Sequence, residues 1–435
     1  MDTEIGCHGY KINLKNLPAH FLQNIKRELT VKPIENPNFP SKDASFIVFR
    51  LSKNSIYLPR YYGIEKYKTP TRNLLQDGET INLTFTGTLR EIQQKSIDAA
   101  LKVFNEQSGG IISLDTGLGK TVVALKLIEL LKVKTIIFVH AEFLLEQWVS
   151  RIKQFLPGAR IGIIRQERCE TENVDISVAM IQTVINRDYP PDFFKSYGML
   201  QVDECHHTPA KSFSSLFYKI QTKYLLGLSA TPDRKDGLSK VMYWFLGPQI
   251  ITIKRETGKP SIKFIMNDTT GYTEEYNCVG KTNSPVMITN LTKQIKRNEL
   301  IIETIKNYLK ADRKILVLSD RREHCELLLR GLEGISAGVY LGGMNTISRE
   351  TSVNCKVIIG TYQASGEGFD VPELDTLILA TPKSDVEQAV GRILRQKNNN
   401  EPLVIDIVDE FSIFNGQFYK RRRFYKKSEF KLNLK

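Results

Sequence analysis

The chain has 435 residues, of which 41% are hydrophobic and 25% charged, a balance typical of globular proteins with two or three domains. With 61 basic and 48 acidic residues, its net charge of +13 favours a polyanionic partner, nucleic acid by default. Six scattered cysteines without a Cys-x-x-Cys pair argue against a zinc site or a disulfide framework, and for a reducing compartment. The polar start and the interrupted apolar runs predict neither a signal peptide nor a membrane span.

Residues 1–82 are expected to form a small N-terminal α+β module with short alternating strands, for example at 45–51. Within it, residues 58–63 (Leu-Pro-Arg-Tyr-Tyr-Gly) place an arginine beside two tyrosines. This composition suits either a surface that stacks on bases or a packed strand end and turn, and we favour the packed strand end. The polar stretch 68–80 predicts a linker.

From residue 83 to 245, apolar runs alternate with helical patterns, which predicts a parallel sheet with covered faces. A strand at 111–112 runs into a loop ending in Gly-Leu-Gly-Lys-Thr, and a helix is predicted at 122–131. The glycines let a phosphate approach the backbone, the lysine would reach the β- and γ-phosphates, and the threonine would place its hydroxyl on Mg²⁺. We therefore predict an ATP site formed by Thr116, Gly117, Leu118, Gly119, Lys120 and Thr121.

A group of polar residues follows a later apolar run of the predicted sheet. Asp203, at the carboxyl end of a parallel strand beside the phosphate loop, can hold Mg²⁺ through water. Glu204 can orient and deprotonate the attacking water. A zinc cluster of Cys205, His206 and His207 is the alternative, but neighbours on a tight turn cannot easily face one ion.

A serine and a threonine end a further predicted strand, in Gly-Leu-Ser-Ala-Thr-Pro at 227–232. Ser229 and Thr231 would form, with His206, a polar relay that couples the ATP site to the rest of the cleft. The alternative is a plain strand-ending turn, and the spacing from Asp203 favours the relay.

Residues 246–290 are irregular and polar and predict a linker or a small insert, after which alternation returns over 291–435. This second block has no phosphate loop, so we expect it to complete the ATP site of the first block from across a cleft. A helix is predicted at 386–394, and at its end Arg392 and Arg395 lie three apart on one helical face. There they could act as arginine fingers, worth ~10³–10⁵ in rate, or be ordinary surface arginines.

The segment 420–427 (Lys-Arg-Arg-Arg-Phe-Tyr-Lys-Lys) carries six basic residues in eight, with two aromatic residues between them. It suits a contact to nucleic acid, as the net charge does. A solvated helix end has the same composition, so both interpretations stay open.

Together and in this order, these stretches resemble the motifs of a superfamily 2 helicase of the DExH type, over residues 85–410. The phosphate loop is similar to motif I and Asp203-Glu204-Cys205-His206 to motif II. Segments similar to motifs Ia, III, IV, V and VI are 138–148, 229–231, 319–321, 360–370 and 388–395. Residues 58–63, 228–237 and 361–370 resemble the XPB-type branch, which includes the poxvirus transcript-release helicase and relatives in other large cytoplasmic DNA viruses.

The resemblance implies two RecA-like parallel-sheet domains in tandem behind the N-terminal module, with ATP and Mg²⁺ bound at their interface. It implies that Gln93, beside Arg90, reads adenine, and it gives Gln388 a catalytic place with the two arginines of the same helix. Further nucleotide contacts would come from Glu367, Gly368 and Asp370, and contacts to nucleic acid from Gln182, Thr183, Arg234 and Thr361.

The implied enzyme hydrolyses ATP and moves 3′ to 5′ along nucleic acid, DNA rather than RNA, held through the backbone with little sequence preference. We expect it to act in viral transcript release or in DNA repair, as a monomer with transcription or repair proteins as partners, in the host cytoplasm or the virion. Two alternatives stay open: an RNA helicase or RNA–protein remodelling ATPase, and a catalytically idle nucleic-acid-binding scaffold. A scaffold would not need Lys120, Asp203, Glu204, Arg392 and Arg395 together.

Overall fold

A computed structural model describes residues 2–15, 17–34, 45–115, 117–190, 192–206, 210–230, 237–254, 259–365, 369, 371–394, 398 and 400–433. The chain divides into two compact units, Met1–Arg255 and Glu256–Lys435. Within the described ranges, no helix combines the length and the apolar content that crossing a bilayer requires.

The first unit begins with short strands and two helices. They are β1 (Thr3–Gly6), β2 (Gly9–Asn13), α1 (Ala19–Glu28), β3 (Thr30–Val31), β4 (Phe46–Ile47), β5 (Arg50–Leu51), β6 (Ser55–Leu58), α2 (Arg60–Tyr67) and β7 (Arg72–Asn73). Strands β5-β6-β2-β1-β7 form a sheet in that order, antiparallel except for the β1–β7 pair, and β3 pairs with β4. The stretch 68–80, expected to be a linker, therefore supplies an edge strand.

Residues 58–63 are a packed strand end and helix start, so the alternative of a base-stacking surface is wrong. The guanidinium of Arg60 is buried and donates from NH1 to the carbonyl oxygens of Thr222 (3.1 Å) and Lys223 (2.9 Å). The buried Tyr61 hydroxyl donates to the carbonyl of Gln107 at 3.0 Å. Both side chains fasten the N-terminal part of the chain to the domain that follows, and both are buried, so neither is exposed to stack on a base.

The N-terminal sheet shares one hydrophobic core with the next domain, rather than forming the separate module expected at 1–82. A single cluster of buried side chains runs from Ile5 and Tyr10 through Tyr62 to Phe217 and Phe245. Tyr62 meets Trp244 of the next domain edge-on, with ring centroids 5.3 Å apart. Strands of two to five residues bury too little apolar surface alone, so they borrow the face of the larger sheet.

The large sheet of the first unit confirms the predicted α/β pattern. Its elements are α3 (Glu91–Gln107), β8 (Gly109–Leu114), α4 (Lys120–Leu131), β9 (Thr135–Val139), α5 (Glu142–Phe155), β10 (Ile161–Arg165), β11 (Arg168–Cys169), β12 (Ile176–Met180), α6 (Ile181–Ile185), β13 (Met199–Val202), α7 (Ala210–Phe217), β14 (Tyr224–Ser229), α8 (Ser239–Leu246) and β15 (Gln249–Ile253). The order is β11-β10-β12-β9-β13-β14-β8-β15, and every pair except β10–β11 is parallel. Strands β13, β14 and β8 are neighbours, so their carboxyl ends meet at one edge.

The second unit carries a second parallel sheet. Its elements are β16 (Ser261–Asn267), α9 (Ser284–Thr292), α10 (Ile295–Leu309), β17 (Ile315–Ser319), α11 (Arg322–Arg330), β18 (Ala337–Tyr340), α12 (Thr346–Val353), β19 (Val357–Thr361), β20 (Thr376–Leu379), α13 (Glu387–Gly391) with a 3₁₀ turn (Arg392–Leu394), β21 (Leu403–Asp409), α14 (Ser412–Lys427) and β22 (Lys431–Asn433). The order is β18-β19-β17-β20-β21-β16-β22, all parallel.

The expectation of a linker at 246–290 needs correction, because this stretch supplies β15 to the first sheet and β16 to the second. Residues of β15 are only partly buried or exposed, since it lies at the edge of its sheet. The apolar run of β15 (Gln-Ile-Ile-Thr-Ile) is short and lies within a polar stretch, so a prediction made on the whole stretch misses it.

The basic segment 420–427 forms the second half of α14, and part of it faces the core. Arg421 is 2% exposed and makes a two-pronged ion pair with Asp406, with Nε–Oδ2 and NH2–Oδ1 distances of 2.8 Å. The buried Tyr425 hydroxyl donates to the same carboxylate at 3.1 Å. The interpretation as a contact to nucleic acid therefore applies only to the exposed members, Lys420, Arg423, Lys426 and Lys427.

Replacing Arg421 by alanine should destabilise the protein by about 3–5 kcal/mol, because Asp406 would stay buried without its partner. Urea unfolding followed by circular dichroism measures the loss as a lower midpoint. Arg423→Ala is the matched control, since Arg423 is exposed on the same helix. Equal midpoints for the two variants would contradict a structural role for the Arg421–Asp406 pair.

Candidate active site

The loop between β8 and α4 has the backbone of a phosphate cradle. Gly117 (φ +83°) and Gly119 (φ +91°) occupy the left-handed region that glycine adopts at little cost. A Cβ at Gly119 would lie 2.2 Å from Nε2 of Gln93, so a larger residue would displace the Gln93 amide that supports the loop. Helix α4 begins at Lys120 and directs its unbonded amide groups at the same loop. The loop therefore suits the nucleotide phosphates that the sequence predicts.

The start of α3 holds this loop from one side. The amide of Gln93 donates to the carbonyl of Leu118 at 3.2 Å and accepts from the backbone amide of Arg90 at 2.9 Å. The guanidinium of Arg90 donates to the carbonyl of Gly117 at 3.1 Å. The structure thus brings both residues to the phosphate loop and adds a contact that the sequence did not predict, the support of the loop carbonyls.

Lys120 reaches across the edge of the sheet to Glu204. Its Nζ lies 3.3 Å from Oε1 of Glu204 and donates to the carbonyl of Leu114 at 3.2 Å. Glu204 adopts a left-handed backbone conformation, with φ +44°, which is costly for a residue with a side chain. The parallel neighbours β8, β14 and β13 thus place the predicted phosphate-binding and water-activating residues side by side.

Asp203 lies behind this pair and is 7% exposed. Its Oδ1 accepts from the backbone amide of Glu204 at 2.9 Å, and its Oδ2 accepts from Nε1 of Trp148 at 2.8 Å. Burial, assisted by the negative charge of Glu204, raises the pKa of the Asp203 carboxyl from 3.8 to about 6. The ionised form of Asp203 is therefore unfavourable in this buried position, and a bound cation would stabilise it.

This donor set fits Mg²⁺ better than zinc. Among the described residues, no group of three or more His, Cys, Asp or Glu side chains is placed to hold a metal ion. Cys205 belongs to the hydrophobic core, and His207 lies outside the described residues. Mg²⁺ commonly binds through one or two carboxylates and the phosphates of the nucleotide, and Asp203 with Thr121 at the start of α4 can provide such ligands.

The structure describes two of the three residues of the predicted polar relay, His206 and Ser229. Nδ1 of His206 lies 2.9 Å from Oγ of Ser229 and 3.4 Å from Oε2 of Glu204. The structure therefore joins the end of β14 to the carboxylate beside the phosphate loop. The other predicted member, Thr231, lies outside the described residues.

The helix predicted at 386–394 ends at Gly391, and Arg392 begins a 3₁₀ turn, since glycine is a poor helix former. Arg392 is 5% exposed and donates from NH1 to the carbonyl of Phe369 at 2.7 Å, whereas Gln388 is exposed. Arg392 thus supports the backbone next to the predicted nucleotide contacts. Those contacts, and other predicted site residues, lie outside the described residues: Thr116, Arg234, Glu367, Gly368, Asp370 and Arg395.

The candidate contacts to nucleic acid follow strand ends in both units. Gln182 and Thr183 lie on α6, just after β12, and Gln182 donates to the carbonyl of His140 at 3.4 Å. The hydroxyl of Thr183 accepts from the amide of Gln166 at 3.1 Å. In the second unit, Thr361 ends β19. Gln182 and Thr183 share the carboxyl edge of their sheet with the phosphate loop.

Two parts of the chain match known families: residues 86–234 match "Type III restriction enzyme, res subunit", and 296–397 match "Helicase conserved C-terminal domain". The chain is 33% identical over 451 residues to "Putative ATP-dependent RNA helicase L396" of Acanthamoeba polyphaga mimivirus, covering 99% of this chain and 86% of that protein. This chain belongs to the superfamily 2 helicases. As a helicase it is an ATP-dependent enzyme that acts on nucleic acid, with ATP and Mg²⁺ as its cofactors.

Other viral relatives resemble this helicase over nearly its whole length. "Putative helicase 161L" of Invertebrate iridescent virus 6 is 29% identical, covering 96% of this chain and 97% of that protein. "Putative ATP-dependent RNA helicase QP509L" of African swine fever virus (isolate Pig/Kenya/KEN-50/1950) is 26% identical, covering 98% and 92%. The N-terminal sheet thus lies within the matched length.

Magnesium-dependent nucleotide binding by this helicase should weaken in mild acid. Because the pKa of Asp203 is raised to about 6, its carboxyl is mostly ionised at pH 7.5 and mostly protonated at pH 5.5. Lowering the pH between these values should reduce the Mg²⁺-dependent gain in ADP affinity about fourfold, the change in the ionised fraction. Isothermal titration calorimetry with Mg²⁺ and with EDTA measures this gain.

Asp203→Asn is the control for this pH dependence, because any change that remains in the variant belongs to the nucleotide or to other groups. A gain in affinity that stays constant from pH 7.5 to 5.5 in the unmodified protein would show that Asp203 is already ionised at pH 5.5.

Proposed function

We propose that this helicase translocates 3′ to 5′ along DNA, with RNA as the second candidate track. The main support for an ATP-driven motor is the arrangement of the active site. Lys120, Asp203 and Glu204 lie together at one edge of a parallel sheet, beside a glycine loop that suits phosphates. The similarity of 228–237 and 361–370 to the XPB-type branch favours DNA. The names of the mimivirus and African swine fever virus relatives specify RNA and favour the second track.

The setting we propose is transcript release or DNA repair in a large DNA virus, in the host cytoplasm or the virion. Its support is the viral origin of relatives that match nearly the whole chain. Partners would be nucleic acid and transcription or repair proteins, with the helicase itself a monomer.

The contact between Lys120 and Glu204 suggests how ATP binding would activate Glu204, because the phosphates would compete with Glu204 for Lys120. Oε1 of Glu204 is paired with the ammonium group of Lys120, so it is not positioned to accept a proton from water while this contact lasts. When bound, ATP would supply the phosphoryl group to be transferred, and Mg²⁺ would offset the negative charge of the phosphates. Lys120 then exchanges Glu204 for phosphate, and the released carboxylate can take a proton from the attacking water.

The contact chain Glu204–His206–Ser229 gives the site a link to the rest of the sheet. His206 lies within 3.4 Å of both side chains, and Ser229 ends β14. A shift of Ser229 would therefore change the support of Glu204. We propose that these three contacting residues couple the binding of nucleic acid to the hydrolysis of ATP.

We place the nucleic acid over the carboxyl edge of each sheet, where loops rather than regular strands are exposed. Our candidate contacts are Gln182 and Thr183 on α6 and Thr361 at the end of β19, together with Arg234. The net charge of +13 supports binding through the phosphate backbone, which gives salt dependence and little sequence preference.

Glu204→Gln should lower the turnover of ATP by about 10²–10⁴, because the amide cannot accept the proton of water. ADP affinity should change by no more than a few-fold, since the phosphate loop keeps its backbone. A coupled phosphate-release assay and calorimetry measure the two quantities. Glu146→Gln, an exposed glutamate on α5, is the matched control and should hydrolyse ATP normally. Full activity in Glu204→Gln would remove Glu204 from the mechanism.

Single-stranded DNA should stimulate ATP hydrolysis more strongly than single-stranded RNA of the same sequence, at low salt. On biotinylated DNA capped with streptavidin, translocation in the 3′ to 5′ direction should displace streptavidin from the 5′ end and not from the 3′ end. Stronger stimulation by RNA would show that RNA, and not DNA, is the nucleic acid along which the helicase moves. Displacement from the 3′ end would overturn the polarity, and no stimulation by either strand would contradict a nucleic-acid motor.

A further inference from the structure

The carboxylate of Asp203 is held from two sides by neutral donors. The backbone amide of Glu204 lies 2.9 Å from Oδ1, and the indole Nε1 of Trp148 lies 2.8 Å from Oδ2. The backbone of Asp203 is fixed as well, since its amide donates to the carbonyl of Phe138 at 3.0 Å. Rotation of the carboxylate would break both side-chain hydrogen bonds at once.

The position of Trp148 is set by the hydrophobic core and not by its polar partner. Trp148 is 1% exposed and is the largest fully buried side chain among the described residues. It lies on the buried face of α5 with Leu144, Leu145 and Ile152. An indole has a single N–H donor, and leaving that donor unbonded in a core costs about 1–3 kcal/mol. The core therefore presents one fixed donor, and Asp203 accepts from it.

We propose that Trp148 is a positioning residue for the metal site: its N–H fixes the Asp203 carboxylate in the orientation that receives nucleotide-bound Mg²⁺. This inference rests on the proposed role of Asp203 as the Mg²⁺-holding residue. Each carboxylate oxygen keeps one lone pair for a metal-bound water, because each accepts a single hydrogen bond in the structure. Partners of metal-binding carboxylates that fix their orientation typically contribute about 10–100-fold in metal affinity or activity.

The same hydrogen bond makes the indole a reporter of the metal site. The chain has two tryptophans, Trp148 and Trp244. Trp244 lies on α8, where it contacts Tyr62 of α2 and Lys240 of its own helix. Trp244→Phe therefore leaves Trp148 as the single tryptophan, which is excited selectively at the red edge of its absorption band, where the 17 tyrosines do not absorb. The substitution does not touch the active site.

In the Trp244→Phe protein, adding Mg²⁺ in the presence of saturating ADP should change Trp148 emission, with a saturable dependence on Mg²⁺. The change should be absent when Asp203 is also replaced by alanine. The proposal would be overturned if Trp148 emission did not change with Mg²⁺ while calorimetry showed that Mg²⁺ binds. This arm keeps Trp148 in place, so it does not depend on whether a Trp148 variant folds.

Trp148→Phe keeps an aromatic ring and removes the donor. Calorimetry should show a 10–100-fold loss of Mg²⁺ affinity in the presence of ADP, and ADP binding in EDTA should stay within a few-fold. A merely structural role would instead weaken ADP binding in EDTA to the same extent. Circular dichroism and thermal melting check that the variant is folded.

A double-mutant cycle separates this inference from the assignment of Asp203. In the Asp203→Ala background, Trp148→Phe should cause no further loss of Mg²⁺ affinity, because its acceptor is gone. An equal further loss would show that the indole acts elsewhere, and would overturn the positioning role alone. Unchanged Mg²⁺ affinity in Asp203→Ala itself would instead overturn the proposed role of Asp203.

Discussion

The parallel register of β13, β14 and β8 is the constraint on which the ATP site depends. These strands are hydrogen-bonded neighbours, so the phosphate loop, the Asp203-Glu204 pair and Ser229 leave the sheet at the same edge. A slip of one residue in either pairing would turn buried side chains to the opposite face and separate these polar groups. The hydrophobic sheet thus fixes the distances on which the chemistry relies, and the polar contacts adjust within that frame.

Buried carboxylates in this protein differ in the groups that contact them, and this difference separates structural carboxylates from a functional one. Asp406 is matched by the guanidinium of Arg421, and Asp409 by that of Arg297, each through two hydrogen bonds of 2.8 Å. Asp203 is bonded instead by neutral N–H groups, which orient it without cancelling its charge. A buried carboxylate without a contacting cation attracts one from outside, and this difference marks Asp203 as the metal-binding member.

The sequence predicts the parts of the site that are contiguous in the chain. The phosphate loop and Asp203-Glu204 could be read directly, because their glycines, lysine and carboxylates follow apolar runs of strand length. Trp148 could not, since its spacing with the apolar residues of α5 is that of any core helix, and its partner lies on another strand. Arg421 was hidden in a basic run for the same reason, as only the fold shows Asp406 beside it.

The packing of the short N-terminal strands was also difficult to predict from the sequence. The N-terminal residues predict strands correctly, but periodicity carries no information on which surface covers them. The shared core with Phe217 and Phe245 is a property of packing between distant segments. The segments β15 and β16 show the converse error, because their short apolar runs lie within a stretch that is polar and irregular on average, and only the fold shows that they belong to the two sheets.

The shared core also has a consequence for how the protein is made. The N-terminal sheet leaves the ribosome before α7 and α8, and yet its core cluster includes Phe217 of α7 and Phe245 of α8, far later in the chain. Until those helices emerge, the early strands carry exposed apolar side chains and unpaired edges, a state prone to aggregation. Synthesis of this helicase therefore has an interval in which a chaperone that binds apolar segments would protect the nascent chain.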